Sequence, residues 1–197
     1  MNAVGGSILA FLVAVLCVAP RRWALLGVMG GVFFLTQGQS IDVLGLNIFP
    51  LRVLEAVGFA RVVVRGEISV RRLNRLDAIL LLLYNYSALI WIARSTNTAP
   101  SQYASALDPT LCYLTVRGLI DGIDDLRWFL IAFVALLVPF TALVLVERRT
   151  GQSAFTLVGA APTLIFRDGV ARCQGAFRHA ILLGSVAASF VPLYIGL

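Results

Sequence analysis

The chain has 197 residues, 59% of them hydrophobic and 13% charged, and a mean hydropathy of +0.90; apolar side chains gathered in long runs exclude an ordinary soluble domain and define an integral membrane protein. The net charge is +6, every basic residue is Arg, and the arginines interrupt the apolar runs rather than lining one face, which argues for loop anchors and against nucleic acid as a partner. Cys17, Cys112 and Cys173 are odd in number and far apart, so neither a disulfide framework nor a zinc site is indicated, and no metal or other cofactor is expected.

The expected fold class is all-α, a single polytopic transmembrane helical bundle over 1–197. A spanning helix needs about 20 mostly apolar residues. In chain order the clear candidates are Asn2 to Ala19, Trp23 to Thr36, Asp77 to Ala93, Trp128 to Val146 and His179 to Gly196. Two weaker ones bring the expectation to about six or seven membrane helices. Phe49 to Val64 carries Arg52, Glu55 and Arg61, and Asp108 to Ile120 is short with Arg117 inside it. The latter starts with Asp108 as a cap and Pro109 at the first helical position, where a missing amide proton does no harm. The first nineteen residues lack a basic leader, and Ala19-Pro20-Arg21 makes a poor cleavage site, so they read as a retained helix. Trp23, Trp91 and Trp128 fall at span ends, where an interfacial belt accounts for them.

Short cytoplasmic loops favour basic residues. The densest such segment, Arg61 to Arg75, holds five arginines, and setting it inside puts Arg21 and Arg22 inside too. Alternation then leaves Asp121 to Arg127 (DGIDDLR) inside, as the acidic first turn of a helix rather than a metal cluster. It exposes 147–179 on the outer side as an arginine-rich loop with Arg148, Arg149, Arg167, Arg172 and Arg178. If the short helix at Asp108 does not span, that loop becomes a solvated cytoplasmic linker instead. For Arg117, the alternatives are a cavity or a pair with a helix-end acid such as Asp121.

Within the loop, Asp168-Gly169 flanked by apolar residues predicts a β-hairpin whose two central residues take positive φ. That register pairs Arg167 with Val170 and Ile165 with Arg172, so both guanidiniums share one face. Gly175 permits an unusual turn, Phe177 is expected to anchor the loop at the membrane interface, and Arg178-His179 begin the last helix. A helix N-terminus and arginine forks together suit an anion, and at an outer leaflet that anion is a lipid-linked pyrophosphate.

The order Glu147 to Gly151 (ERRTG), Phe155, Gly159, Arg167, Gly169, Arg172, Gly175-x-Phe177-x-His179, Gly184 and Pro192-Leu193 resembles the central region of the bacterial O-antigen ligase and polysaccharide polymerase family. Upstream, Gly45 to Arg52 (GLNIFPLR), Arg72 to Asp77 (RLNRLD) and Tyr113 to Arg117 (YLTVR) are similar to its first half. The resemblance implies a multi-pass protein of the bacterial inner membrane. It implies metal-independent transfer of an oligosaccharide from undecaprenyl pyrophosphate to an acceptor in lipopolysaccharide or exopolysaccharide assembly. The partners would be the bilayer and the polyprenyl-pyrophosphate-linked glycan. The candidate pyrophosphate-binding residues are Arg167, Arg172, Arg178 and Arg117, with His179 and Gly175 orienting the turn or touching sugar. No catalytic residue is assigned: the family's ligase branch draws its proposed base from a later loop, so this chain is expected to be the front portion of a longer protein and inactive alone. The rival classes are a transporter or flippase for an anionic lipid or solute, and a non-catalytic membrane subunit.

Overall fold

A computed structural model of the chain describes residues 2–36, 39–43, 46–68, 73–94, 99–160 and 164–196. Among these, helices α1 (Ala3–Val18), α2 (Arg21–Phe34), α3 (Pro50–Val64), α4 (Arg75–Arg94), α5 (Ala99–Leu119), α6 (Ile123–Thr150) and α7 (Ala180–Ile195) dominate. A 3-10 turn at Ala154–Val158 and two antiparallel hairpins complete the described residues, β1 (Ile41–Val43) with β2 (Leu46–Ile48) and β3 (Ile165–Arg167) with β4 (Val170–Arg172). The helical class read from composition is what forms. The β1–β2 pair was not foreseen: its strands are three residues each, too short for an alternating pattern to register. Gly45, Arg71 and Arg72, which carried part of the expected motifs, lie outside the described residues.

Two of these helices, α4 and α6, are long and apolar enough to cross a membrane, while α1 and the apolar part of α7 are shorter. Their large side chains face outward to an extent that water would penalise: Leu76, Leu82 and Leu89 on α4, and Ile131, Val138 and Leu145 on α6, are all exposed. Exposed apolar surface this continuous marks contact with lipid or with other protein.

The chain divides into two compact units, one formed by Met1–Leu54 with Gly122–Leu197 and the other by Glu55–Asp121. In the first unit α1 and α2 form a close antiparallel pair. Small residues allow the approach: a Cβ on Gly27 would meet Val15 at 3.3 Å, and one on Gly30 would meet Leu12 at 3.1 Å. Next, α2 runs alongside α6 in the same direction, with Trp23 edge-on to Trp128 at 5.2 Å near one end and Phe33 against Phe140 at 4.9 Å near the other. α7 returns antiparallel to α6, stacking Phe190 on Phe133 at 4.4 Å and donating the Tyr194 hydroxyl to the Leu130 carbonyl at 3.0 Å.

The unit therefore has two chemically distinct ends. One holds Arg22, which meets Asp125 at 2.7 Å, with Asp124 and Asp125 in the first turn of α6 as the DGIDDLR reading expects. The other gathers the start of α1, the end of α2 and the segment after α6: the Asn2 amide side chain donates to the Leu157 carbonyl at 2.6 Å, and the Thr36 hydroxyl donates to the Val158 carbonyl. Residues 151–160 thus lie at the end opposite Arg22.

In the second unit α5 corrects the expected helix start. It begins at Ala99, not Asp108, so Asp108 and Pro109 lie inside it. The residue in the first turn is Pro100, where a proline displaces no helical hydrogen bond. Pro109 forfeits only one such bond, and a helix of 21 residues that packs on its neighbours absorbs the loss. A Cβ on Gly58 would meet Thr115 at 2.8 Å, and one on Gly118 would meet Val62 at 2.3 Å, which shows how closely α3 and α5 pack. α3 ends in a Schellman motif, with Gly66 at φ 63°, the Glu67 amide on the Val62 carbonyl at 2.9 Å and the Gly66 amide on Val63 at 3.1 Å. The Glu67 carboxylate then takes the buried Arg61 guanidinium through two bonds, at 3.1 and 3.3 Å.

Candidate functional site

The site is built where α6 ends. α6 continues past Val146 through Glu147, Arg148, Arg149 and Thr150 before Gly151, left-handed at φ 67°, caps it by donating to the Glu147 carbonyl at 2.9 Å. Glu147 is wholly buried. Its Oε1 accepts the Ser153 hydroxyl at 2.9 Å, and its Oε2 accepts the amides of Gln174 and Gly175 at 3.2 and 3.0 Å. One carboxylate thereby ties the helix end to two points of the loop 6 and 28 residues away in sequence. Sequence reasoning missed Glu147, because ending the helix at Val146 hid the fact that an acid in the last turn opposes the helix dipole.

Under this clasp lies an aromatic cluster. Phe140 touches Phe155 at 5.7 Å and Phe177 at 6.2 Å, and Phe177 also meets Phe33 at 5.9 Å. Phe177 does anchor the loop, but to the helix bundle: it is buried among these rings rather than laid at a membrane interface. Gly175 is left-handed at φ 59°, and a Cβ there would sit 2.7 Å from the Phe140 ring, so both conformation and space call for glycine.

The predicted hairpin forms in the predicted register, Ile165 opposite Arg172 and Arg167 opposite Val170. Asp168 and Gly169 take φ of 53° and 75°, the type I′ geometry that suits the twist of the flanking strands. Arg167 and Arg172 share a face of the ribbon. Arg167 extends into solvent, with Asp168 3.8 Å away, a contact worth little at such exposure.

Arg172 has a more defined setting. With Ile165, Gln174, His179, Ala180 and Ile181 it lines a cleft of about 80 Å³. His179 is the N-cap of α7, extended at φ −143°, and its side chain makes no capping bond. The cleft thus combines a guanidinium, an amide side chain, an imidazole and the first residues of a helix, whose orphan amides and positive dipole end favour an anion. Gln174 was missed in the sequence, because an isolated Gln carries no pattern. Arg178 is exposed beside the cleft and does not line it. Among the described residues, neither Arg172 nor Arg178 has a carboxylate partner. Beside them, burial, with help from the Glu147 charge, pushes the Cys173 thiol above its ordinary range.

Arg117 belongs to the second unit and to different chemistry. Its Nε lies 3.4 Å from the buried Asp77 carboxylate. Asp77 also accepts the Tyr113 hydroxyl and the Asn74 amide, the latter at 2.6 Å, while Asn74 returns a side-chain oxygen to the Asp77 amide at 2.9 Å. This is a capping box on α4 extended by two side chains of α5 spaced four residues apart. Asp77, 40 positions upstream, was not among the acids weighed for Arg117, because contacts between helices leave no trace in local spacing.

Farther along α7, and sharing no lining residue with the cleft, is an apolar groove of about 230 Å³ between α6 and α7, lined by Phe33, Leu137, Phe140, Leu183, Phe190 and Tyr194 among others. Leu183 follows Ala180 by one turn on the same helix face, so cleft and groove lie along one side of α7. No protein-family model, curated protein or solved structure matches the chain.

Proposed function

We propose that the chain is a multi-pass protein of the bacterial inner membrane in which the seven described helices lie within or across the bilayer. Its role is to hold a polyprenyl-pyrophosphate-linked glycan during transfer to an acceptor, as a membrane ligase or polymerase of the O-antigen type. One observation carries the reading: Arg172, which has no carboxylate partner among the described residues, lines a cleft with Gln174 and His179 at the N-terminus of an apolar helix, and farther along the same side of that helix lies an apolar groove. A charged head on a long isoprenoid tail has that shape and that division of polarity. The head would be gripped by the arginine fork and helix amides, and the tail would lie along Leu183 and Phe190. Arginine stabilises the charge that grows on a departing pyrophosphate, an electrostatic contribution that needs no metal. Arg167 and Arg178, exposed at the rim, draw the anion in. Arg117 is not part of this grip, since Asp77 already engages it.

The two-ended first unit supports the orientation. Arg21, Arg22 and Arg127 gather at the end where the charge bias sets the cytoplasm, and the arginine loop occupies the opposite end. With Cys17, Cys112 and Cys173 replaced by Ala, Gln152→Cys is expected to react with an impermeant thiol reagent added outside intact cells, and Arg127→Cys only after permeabilisation. The reverse pattern removes the periplasmic assignment.

The functional test is transfer in membranes of cells carrying the full protein, with a labelled polyprenyl-pyrophosphate glycan as donor. Arg172→Gln is expected to abolish transfer and Arg172→Lys to restore part of it, because a point charge does not reproduce the bidentate fork. Full transfer with Gln at 172 overturns the reading. Movement of the intact donor across the membrane without glycan transfer would point to the flippase class instead.

A further inference from the structure

We infer that Glu147 is the positioning residue of the anion cleft: its buried carboxylate sets the Gln174-Gly175 backbone and through it the presentation of Arg172 and His179. The inference rests on the reading of the cleft given above as a pyrophosphate site, and it assigns a role to a residue that touches no ligand.

Three observations converge on it. Glu147 is the one wholly buried acid among the described residues, at 0% exposure, and such a group persists only when its hydrogen bonds are met. They are met by the loop rather than by the helix: the Ser153 hydroxyl on Oε1 and two consecutive amides on Oε2. Consecutive amides aimed at one oxygen form a backbone nest, and the left-handed Gly175 completes its concavity. Arg172 lies two residues before this nest, and both Gln174 and His179 line the cleft with it.

The charge also stands where it least favours an anion site. A carboxylate beside a pyrophosphate cleft subtracts from its positive field. Its presence is explained by geometry, because a charged acceptor holds two amides and a hydroxyl more firmly than a neutral one does. The two contributions separate by substitution. Glu147→Gln keeps the shape: its carbonyl accepts both amides, its amino group donates to Ser153 Oγ, and the charge is gone. Glu147→Asp keeps the charge but withdraws the acceptor by one methylene. Glu147→Ala loses both.

The test uses the full chain in lipid nanodiscs with Cys17 and Cys112 replaced by Ala, leaving Cys173 as the reporter next to Gln174. The readouts are the rate of Cys173 alkylation by a maleimide and the binding of inorganic pyrophosphate. Release of the nest is expected to raise the alkylation rate roughly tenfold in Glu147→Ala and Glu147→Asp, the scale of losing charge-assisted hydrogen bonds, with Glu147→Gln within about twofold of the parent. Pyrophosphate binding is expected to weaken by a similar roughly tenfold factor in Ala and Asp and to hold or tighten in Gln. Removing the charge alone also lowers the thiol's pKa and speeds alkylation. A Gln variant as fast as Ala, with Asp like the parent, therefore means that Glu147 acts through its field and overturns the positioning role. If the parent chain binds no pyrophosphate, the ligand reading of the cleft fails, while the alkylation series still decides the clasp. Should the Ala variant not fold, the Asp variant gives the same decision.

Discussion

Arginine is used in opposite ways at two sites, one in each unit, while Arg22 of the first unit is itself paired with Asp125 at the far end from the cleft. In the second, Arg61 is buried and gripped twice by Glu67, and Arg117 reaches the buried Asp77, which also takes Tyr113 and the α4 cap. In the first, Arg172 and Arg178 stand at a cleft and its rim with no carboxylate partner among the described residues, although Glu147 lies close by in the fold. That acid is spent on backbone amides rather than on guanidinium. An arginine closed by its own protein contributes to stability, whereas one left open retains its hydrogen bonds for an anion. The comparison teaches that counting arginines in a loop says little until the acceptors are placed.

The largest expected effect breaks the closed half. Asp77→Ala removes a buried carboxylate and half of a capping box, and is expected to cost about 3 kcal/mol, toward the lower end for a broken pair because the Arg117 side chain is 34% exposed. Unfolding of the chain in detergent by a graded denaturant measures it. An unchanged midpoint would show that the cluster holds nothing together.

Next in size is Gly175→Ala, expected to cost about 2 kcal/mol from a left-handed backbone together with the 2.7 Å approach to Phe140. Its effect should be local, seen as faster hydrogen exchange in 172–179 with the helices unaffected. Uniformly faster exchange would mean that the loop and bundle melt as one.

The open half is tested by Arg172→Gln. Stability should stay within about 0.5 kcal/mol of the parent, as for an exposed residue away from packing. Pyrophosphate affinity, read by calorimetry at low salt, should fall about tenfold, the scale of one charge-assisted contact. A stability loss as large as that of Asp77→Ala would erase the distinction between the halves.

The smallest effect is at His179. Asn is a strong N-cap and His makes no capping bond there, so His179→Asn is expected to stabilise α7 by about 0.5 kcal/mol. It should also support more glycan transfer than His179→Ala, since Asn keeps a hydrogen-bonding side chain in the cleft. Equal loss of transfer in both variants, with donor binding intact, would assign His179 proton transfer instead of orientation.

Much of the local structure was legible in the residues. The β3–β4 hairpin and its register followed from Asp168-Gly169, because only a few residue types accept positive φ at two successive positions. Helices announced themselves as apolar runs, and the first-turn position of Asp124 and Asp125 followed from dipole chemistry. Glycine at 175 was marked as a special turn, although the reason, the Phe140 ring beneath it, came from a residue 35 positions away. Misreadings arose where a local rule had two solutions. Asp108-Pro109 fits a helix start and also, at the loss of one hydrogen bond, a helix interior, and the second is what forms in a helix packed on α4 and, through Gly58 and Gly118, on α3.

Sequence by itself determined the class of this protein, an apolar helical chain whose arginines fall between the runs, since hydropathy and turn chemistry act over a few neighbouring residues. Only the tertiary structure decided which arginines are closed and which are open, that Phe177 faces rings rather than lipid, and that Glu147 serves the loop. These depend on side chains brought together from tens of residues apart, and a hydrogen bond or a ring contact acts over a few ångströms whatever the separation along the chain.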